Sequence, residues 1–492
     1  MSHHDMNARN IRAGLSHPVI DSDGHWIEYG PHLAQAMERI GGDAAVQGFM
    51  HFGRHIGQTV AMGLERRLET RQAQEAWWSL PTRNTRDRAT AMLPGLLRER
   101  LEEFGIDFAV LYPTSGLGLP QVPDEKQRRA ACAAFNTYAA EFFADHGERM
   151  IPAAVVPMHS PEEAIAELEH INALGLKVAM LGSMIPRRIP SLAAQAPELA
   201  DEFPWLDVLG LDSPHDYDPV WQRCLDLGIA PSFHSSGRGR AFGVRNSPSS
   251  FVYNHIGHFA AASEAVCKAL ILGGVTHRFP TLRVGFLEGG VGWACQLLAD
   301  LLGHWEKRKV EALAHVDPAN LDEGGLLDYA RRYGRDDFVA VMQARAERAA
   351  PAVRRTLAPP EGIDEFTACG FASEDDIVRQ FTQSFYFGCE ADDPMNAWAF
   401  KREHLPHGVQ LKTLFGSDIG HFDVQDMAGV LPEAYELLDD KLIDVDDFRG
   451  FVFANAVRFY SENNRNFFAG SVLEAEVARF WQQEGQTTEL DS

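Results

Sequence analysis

Short apolar runs alternate along this chain with longer stretches in which apolar positions recur every three or four residues. The first pattern predicts buried strands and the second amphipathic helices. Ile106-Asp107-Phe108-Ala109-Val110-Leu111-Tyr112-Pro113 is a strand run that ends in proline and a glycine-bearing loop. Residues 124–146 read as a helix, Met150–Pro157 as a strand, Pro161–Leu174 as a helix stopped at Gly175, and Lys177–Leu181 as a strand. A helix over Pro219–Leu227, stopped at Gly228, leads to a strand over Ile229–Phe233 that runs into His234. A helix over 259–272, ended by Gly273-Gly274, leads to a strand over Leu282–Leu287. Two further strand runs, Ser384–Cys389 and Leu411–Phe415, come late, and Val19-Ile20 opens an early one. Apolar strands alternating with helices predict parallel β/α units. About eight such strands is the number a (β/α)8 barrel requires.

Two segments depart from this rhythm. Residues 26–100 are rich in His, Arg, Met and Trp. Within them, Asp87–Leu93 has helical spacing, Pro94-Gly95 interrupts it, and Leu96 to Phe104 forms a second helical piece closed by Gly105. Residues 305–380 are charged and helical in pattern, as in Ala344-Arg345-Ala346-Glu347-Arg348. Insertions of this size usually sit on loops outside a core. The tail predicts helices over Asp423–Leu438, Asp446–Asn455 and Leu473–Gln483. The expected fold class is therefore α/β. It is a (β/α)8 barrel in one domain over 1–492, with helical insertions at about 26–100 and 305–380 and a helical tail at about 423–492. A doubly wound open sheet is the alternative, but no Gly-x-Gly-x-x-Gly, Walker loop or Gly-x-Ser-x-Gly elbow accompanies these strands.

Composition narrows the partners. The chain has 492 residues and is 45 % hydrophobic, enough for a large core. A formal net charge of −24 speaks against nucleic acid or an anionic membrane, which need a basic surface. It leaves room for a small-molecule substrate, even an anionic one held in a local basic pocket. The six cysteines form no Cys-x-x-Cys pair, which predicts free, mostly buried thiols in a reducing, cytoplasmic compartment. No early run has the form of a signal peptide, and no apolar run is long enough to span a bilayer.

Candidate chemistry gathers where the strand runs end. Asp23 and His25 stand two apart in Val19-Ile20-Asp21-Ser22-Asp23-Gly24-His25, so an extended strand points both to one side. His234, Glu288 and Asp418 follow later strand runs. In a barrel, the C-terminal strand ends converge on one face. Two imidazoles and two or three carboxylates there suit one divalent metal with a position left open. Each residue also has a structural alternative. Asp-Gly-His suits a turn, His234 a core histidine, Glu288 a helix cap and Asp418 an Asx turn. Tyr253-Asn254-His255-Ile256-Gly257-His258-Phe259 offers two acid/base histidines, with His258 favoured as catalytic and His255 as a substrate contact, unless they cap the next helix or pack locally. Arg238, Arg240 and Arg245 could grip a substrate carboxylate in bidentate fashion, or belong to a solvated basic loop. Trp77-Trp78 and Trp293 suit either an aromatic pocket or the core.

These pieces together resemble the amidohydrolase-related family, in the branch that contains aminocarboxymuconate-semialdehyde decarboxylase and related aromatic-acid decarboxylases and hydrolases. The matching pieces are Ile20 to His25, Asp218-Pro219-Val220-Trp221 leading to Phe233-His234, and Gly273-Gly274-Val275 with Phe279-Pro280. Leu287-Glu288-Gly289-Gly290, Phe415-Gly416-Ser417-Asp418 and Asn455-Ala456 complete them in family order. The resemblance implies a distorted (β/α)8 barrel with one catalytic divalent metal, Zn²⁺ first, with Mn²⁺ or Fe²⁺ as alternatives. It implies Asp23, His25, His234 and Asp418 as ligands, with Asp23 standing where many members have the first His of a His-x-His pair. Glu288 stands where the better-known decarboxylases carry a proton-handling His. That departure favours a hydrolase of a cyclic or aromatic-derived acid, cleaving a C–N or C–C bond, with Asp418 as base and Glu288 or His258 passing the proton. Nonoxidative decarboxylation of an aromatic or muconate-type acid is the alternative. Lys177 opens a strand, and because the branch is mononuclear no metal-bridging role is expected of it. The long insertions are expected to reshape the pocket mouth and to form a homo-oligomer contact.

Overall fold

The computed structural model describes residues 7–76, 83–234, 247–317, 320–348 and 364–490. Its first strands are β1 (Ile20–Trp26), β2 (Phe108–Pro113), β3 (Met150–Pro152), β4 (Ala154–Val156) and β5 (Val178–Leu181). A hairpin, β6 (Ile185–Arg187) and β7 (Trp205–Asp207), precedes β8 (Ala230–Phe233), β9 (Val284–Phe286), β10 (Phe385–Glu390) and β11 (Lys412–Gly416). Apart from the antiparallel β6–β7 pair, all neighbours are parallel. The orders β1-β2-β3 and β4-β5-β8-β9-β10-β11 follow the chain. β3 and β4 are the two halves of the strand expected over Met150–Pro157. The break falls at Ala153, whose N–H still donates to Leu111 O at 2.9 Å. This yields the eight strand positions of a (β/α)8 arrangement.

The circle is distorted where β11 meets β1. No ladder joins them among the described residues, but two backbone bonds from the loop beyond β11 bridge the seam. Asp418 N–H donates to Asp23 O, and His25 N–H to Ile419 O, both at 2.9 Å. A side-chain bond reinforces it. Asp21 accepts from Ser417 N–H at 3.0 Å and from Ser417 Oγ at 2.6 Å. Every residue of β1 is buried, although four of its seven are polar. Burial of the Asp21 carboxyl pushes it up to about 6.

Within β1, Ser22 and Asp23 together oppose the single residue Val110, which is a β-bulge. Gly24 is there for want of space. A Cβ on it would stand 2.5 Å from Asp21 Oδ2 and 3.1 Å from Leu111 Cδ2. Asp-Gly-His is therefore a close-packed strand segment and not a turn. Gly24→Ala should lower stability by about 1–3 kcal/mol through overpacking. A urea midpoint equal to wild type would show that the seam has slack.

The insertions and tail differ from expectation in detail. Residues 30–61 form one long helix, Gly30–Ala61, kinked at Gly42. The helical pattern does break before Pro94, where Thr85–Met92 ends, but the second helix, Pro94–Phe104, opens at Pro94 itself, where a missing N–H is harmless. The helix Glu323–Tyr333 buries none of its residues. The expected helix over Asp423–Leu438 begins only at Val430, after a 3-10 turn at Met427–Gly429. Asp423 is thereby left to face the site. All six cysteines are free and buried. No helix among the described residues is long and apolar enough to cross a membrane.

Candidate metal centre

Four strand ends deliver their polar groups to one spot. From β1, His25 Nε2 lies 3.6 Å from Asp23 Oδ1, so both side chains leave the strand in the same direction. His234, just past β8, puts its Nε2 3.2 Å from His25 Nε2 and 3.6 Å from Asp23 Oδ1. Glu288, two residues past β9, brings Oε2 to 3.0 Å from His234 Nε2. Asp418, two residues past β11, brings Oδ1 to 3.5 Å from His25 Nε2. Glu288 and Asp418 both adopt left-handed backbone angles, φ 56° and 49°. Such strain in non-glycine residues is held in place by surrounding structure and concentrates at functional sites.

The structural alternatives fail here. The helix after Glu288, Gly292–Arg308, has Val291 at its N-cap and no side-chain capping bond. Neither carboxylate oxygen of Asp418 accepts a hydrogen bond, so its side chain forms no Asx turn. His234 is buried with Nδ1 unpartnered, unlike a satisfied core histidine. Asp23 Oδ1 is also buried without a hydrogen bond, and the buried Glu288 Oε2 meets only the His234 imidazole.

The electrostatics are those of a cluster short of positive charge. Burial drives the Asp23 carboxyl well above the usual range; Glu288, Asp418 and Asp21 add to this, and His234 opposes it. Burial, then Glu288, Asp423 and Asp21, do the same to Asp418. His25 is held well below the ordinary imidazole value by burial, helped by His421 and His234. Burial also works against charge on His234, but Asp23 and Glu288 outweigh it and raise its value. Glu288 is lowered in turn, because the adjacent His234 more than offsets its burial. These two form an ion pair in the metal-free protein. Carboxylate oxygens and imidazole nitrogens converging at about 3 Å are of the kind that could hold a divalent ion. The residues fit the group that the family implies.

The donors fall into two overlapping groups: Asp23, His25 and His234; and His25, Glu288, Asp418 and His421. The expected ligands are thus divided between the groups, with His25 in both. His25 has one nitrogen to offer, because its Nδ1 faces Pro113 O at 3.4 Å. The two groups therefore overlap at a single nitrogen, His25 Nε2.

A cavity of about 280 Å³ opens beside this cluster. Glu288, His255 and His258 line it, as do Glu390, Asp393 and Asp423. No Lys or Arg is among its described lining residues. Arg238, Arg240, Arg245, Trp77 and Trp78 lie outside the described residues. Trp293 packs edge-on against Phe286 and Phe387 in the core. Lys177 lies far from the cluster's strand ends, donating to the carbonyls of Asn466 and Phe467.

Three residues not singled out in the sequence join the site: His421, Glu390 and Asp423. His421 follows Asp418 by three positions, a spacing that one turn can close. Glu390 ends β10, one residue beyond the expected strand. Burial and the neighbouring Asp418 and Glu288 push its carboxyl up to about 9.

The chain is similar in structure to an amidohydrolase from Mycobacterium avium subsp. paratuberculosis K-10, at 17% identity and a TM-score of 0.51, over 91% of this chain and 100% of the other. A weaker likeness, at 13% identity and a TM-score of 0.48, covers 90% of this chain and 96% of a 5-carboxyvanillate decarboxylase from Novosphingobium aromaticivorans DSM 12444, solved with manganese. Another, at 13% identity and a TM-score of 0.46, covers 91% of this chain and 100% of a 2,6-dihydroxybenzoate decarboxylase from Rhizobium. No curated protein matches the chain in sequence. A family profile described as Amidohydrolase matches residues 20–349, well over half the chain. The chain belongs to the amidohydrolase family.

Proposed function

We propose that the protein is a metal-dependent carboxy-lyase, which removes the carboxyl group of a small aromatic or muconate-type acid without oxidation. The observation that carries this reading is a carboxyl, Glu390, in the lining of the cavity beside the donor cluster. Loss of carbon dioxide leaves an electron pair on carbon, and that carbon must be protonated. In the metal-free protein burial, then the neighbouring Asp418 and Glu288, push the Glu390 carboxyl in the cavity lining up to about 9, the direction a proton donor needs. A general acid works best when its value lies near the working pH.

The ligands in this proposal are Asp23, His25, His234 and Asp418. A divalent ion on them would neutralise the crowded carboxylates and hold the substrate's carboxylate or phenolate oxygen. Glu288 meets the same His234 Nε2 that would turn to the ion, so it would lie beside the ion and the substrate, and as a carboxylate it cannot itself donate. Glu390 gives its proton to the ring carbon as the C–C bond breaks, carbon dioxide leaves, and the carboxylate is reprotonated from the cavity mouth. His255 and His258, also in the cavity lining, contact the substrate and can relay that proton.

Hydrolysis is the second reading, favoured by Asp418, whose Oδ2 accepts no hydrogen bond and could take a proton from water. Here Asp418 is the base and Glu288 or His258 serves the leaving group. Carbon dioxide release separates the two. The test panel holds 2,6-dihydroxybenzoate, 5-carboxyvanillate and related hydroxybenzoates, beside cyclic amides and lactones. Turnover of an amide or lactone with no carbon dioxide from any acid would overturn the lyase reading.

Protein purified without added metal should hold about one divalent ion per chain. Elemental analysis measures it, and identifies the ion as zinc, manganese or iron. No ion, and no activity after adding Zn²⁺ or Mn²⁺, would end the metalloenzyme reading. The exposed Leu326, Tyr329 and Tyr333 of the insertion suit self-association, which sedimentation velocity would detect.

A further inference from the structure

We propose that His421 is a ligand of the metal, beyond the four positions that the family pattern supplies. This rests on the metal-dependent reading above. His421 Nδ1 stands 2.7 Å from Asp418 Oδ1, yet that oxygen accepts no hydrogen bond. The two atoms belong to one group of potential ligand atoms with His25 and Glu288, all within 4.8 Å of one another. Metal–nitrogen and metal–oxygen bonds of about 2.0–2.2 Å put neighbouring ligand atoms about 3 Å apart. The separations at 2.7, 3.0, 3.2 and 3.5 Å within the cluster match this.

The loop is shaped to deliver this ring. Asp418 is left-handed, and His421 N–H donates to Asp418 O at 3.2 Å, so the chain turns back at once. Gly420 has φ 100°, and a Cβ on it would stand 2.9 Å from His25 O. Glycine thus lets the turn lie directly on β1. The His421 ring then stacks on His25, with centroids 3.7 Å apart and planes 26° apart. Stacking fixes the direction of its Nδ1. In Asp418-Ile419-Gly420-His421 the turn places the first and fourth residues on one ion. With His421 the cluster offers three imidazoles and three carboxylates, more than a four-coordinate ion uses. That set suits an ion that takes five or six ligands.

The test titrates metal-free protein with Co²⁺ and reads affinity and the visible spectrum, neither of which needs a substrate. Wild type should show the weak visible bands of five- or six-coordinate Co²⁺. His421→Ala should bind about 10–100-fold more weakly, with intensified bands as the coordination number falls and an unchanged far-UV circular dichroism spectrum. If His421→Ala does not fold, His421→Gln is read in the same way, since it keeps a side chain of similar reach without the imidazole donor. Affinity and bands equal to wild type in the folded variant would overturn the assignment while leaving the metal reading intact. Failure of wild type itself to bind Co²⁺ would overturn both.

Discussion

Replacing Asp418 by Asn should lower turnover by about a hundredfold or more. In the hydrolytic reading the change removes the base. In the lyase reading it removes a negative ligand whose charge helps hold the ion. Size and shape are kept, so the barrel should form normally. Stability should carry a second signature. In the metal-free protein Asp418 is buried beside Glu288, Asp423 and Asp21, which together with its burial raise its carboxyl well above the ordinary range. A neutral amide escapes that penalty. The metal-free variant should therefore melt no lower than metal-free wild type, and metal should stabilise it less. If Asp418 served only its turn, Asn would suit that turn equally well. Near-normal turnover with metal retained would then remove Asp418 from the mechanism. Melting curves with and without Mn²⁺, beside turnover on the compound found by the panel, decide between the two.

Loss of His234 should be as severe for the metal. His234 touches three of the donors, so His234→Ala should weaken metal binding by about a hundredfold or more, given that even partners behind the ligands are worth 10–100-fold. It also strips Glu288 of its ion-pair partner at 3.0 Å, leaving a buried carboxylate alone. A buried charge that loses its partner is costly. The variant should melt earlier than wild type even without metal, yet keep a near-normal far-UV circular dichroism spectrum, because a residue beyond a strand's end is not part of the core. Full metal occupancy in His234→Ala would show that it is no ligand. Global unfolding would return it to the core.

The barrel strands were legible because burial on both faces leaves a plain apolar run, as in Ala109-Val110-Leu111. Asp23, His25, His234, Glu288 and Asp418 were legible because each follows such a run, and parallel strands in a closed ring must end together. What escaped depends on distant contacts. The bulge in β1 arises from its pairing with β2 and the Asp21–Ser417 bond, neither visible in a local pattern. The β6–β7 hairpin has strands of three residues, too short for alternation to register. His421 sits in a loop, where no periodicity speaks, and only the turn at Asp418 and Gly420 brings it back. Asp423 looked helical by composition, but its backbone lies outside the helix that starts at Val430.

The seam between β1 and β11 also sets a timetable for synthesis. Asp21 and Ser417 are 396 positions apart in the chain, yet they share a side-chain hydrogen bond of 2.6 Å. Closing so long a loop costs entropy that nearby contacts do not, and such pairings form late. A growing chain emerges from the ribosome with β1 first, its buried-to-be Asp21, Asp23 and His25 facing water. Those three must wait for almost the whole remaining chain before Ser417, Asp418 and His421 reach them. Until that moment β1 is an unpaired polar strand on one side, which no premature apolar contact can readily claim. The polar character that marks the site in the finished enzyme thus also keeps its first strand uncommitted while the rest is being made.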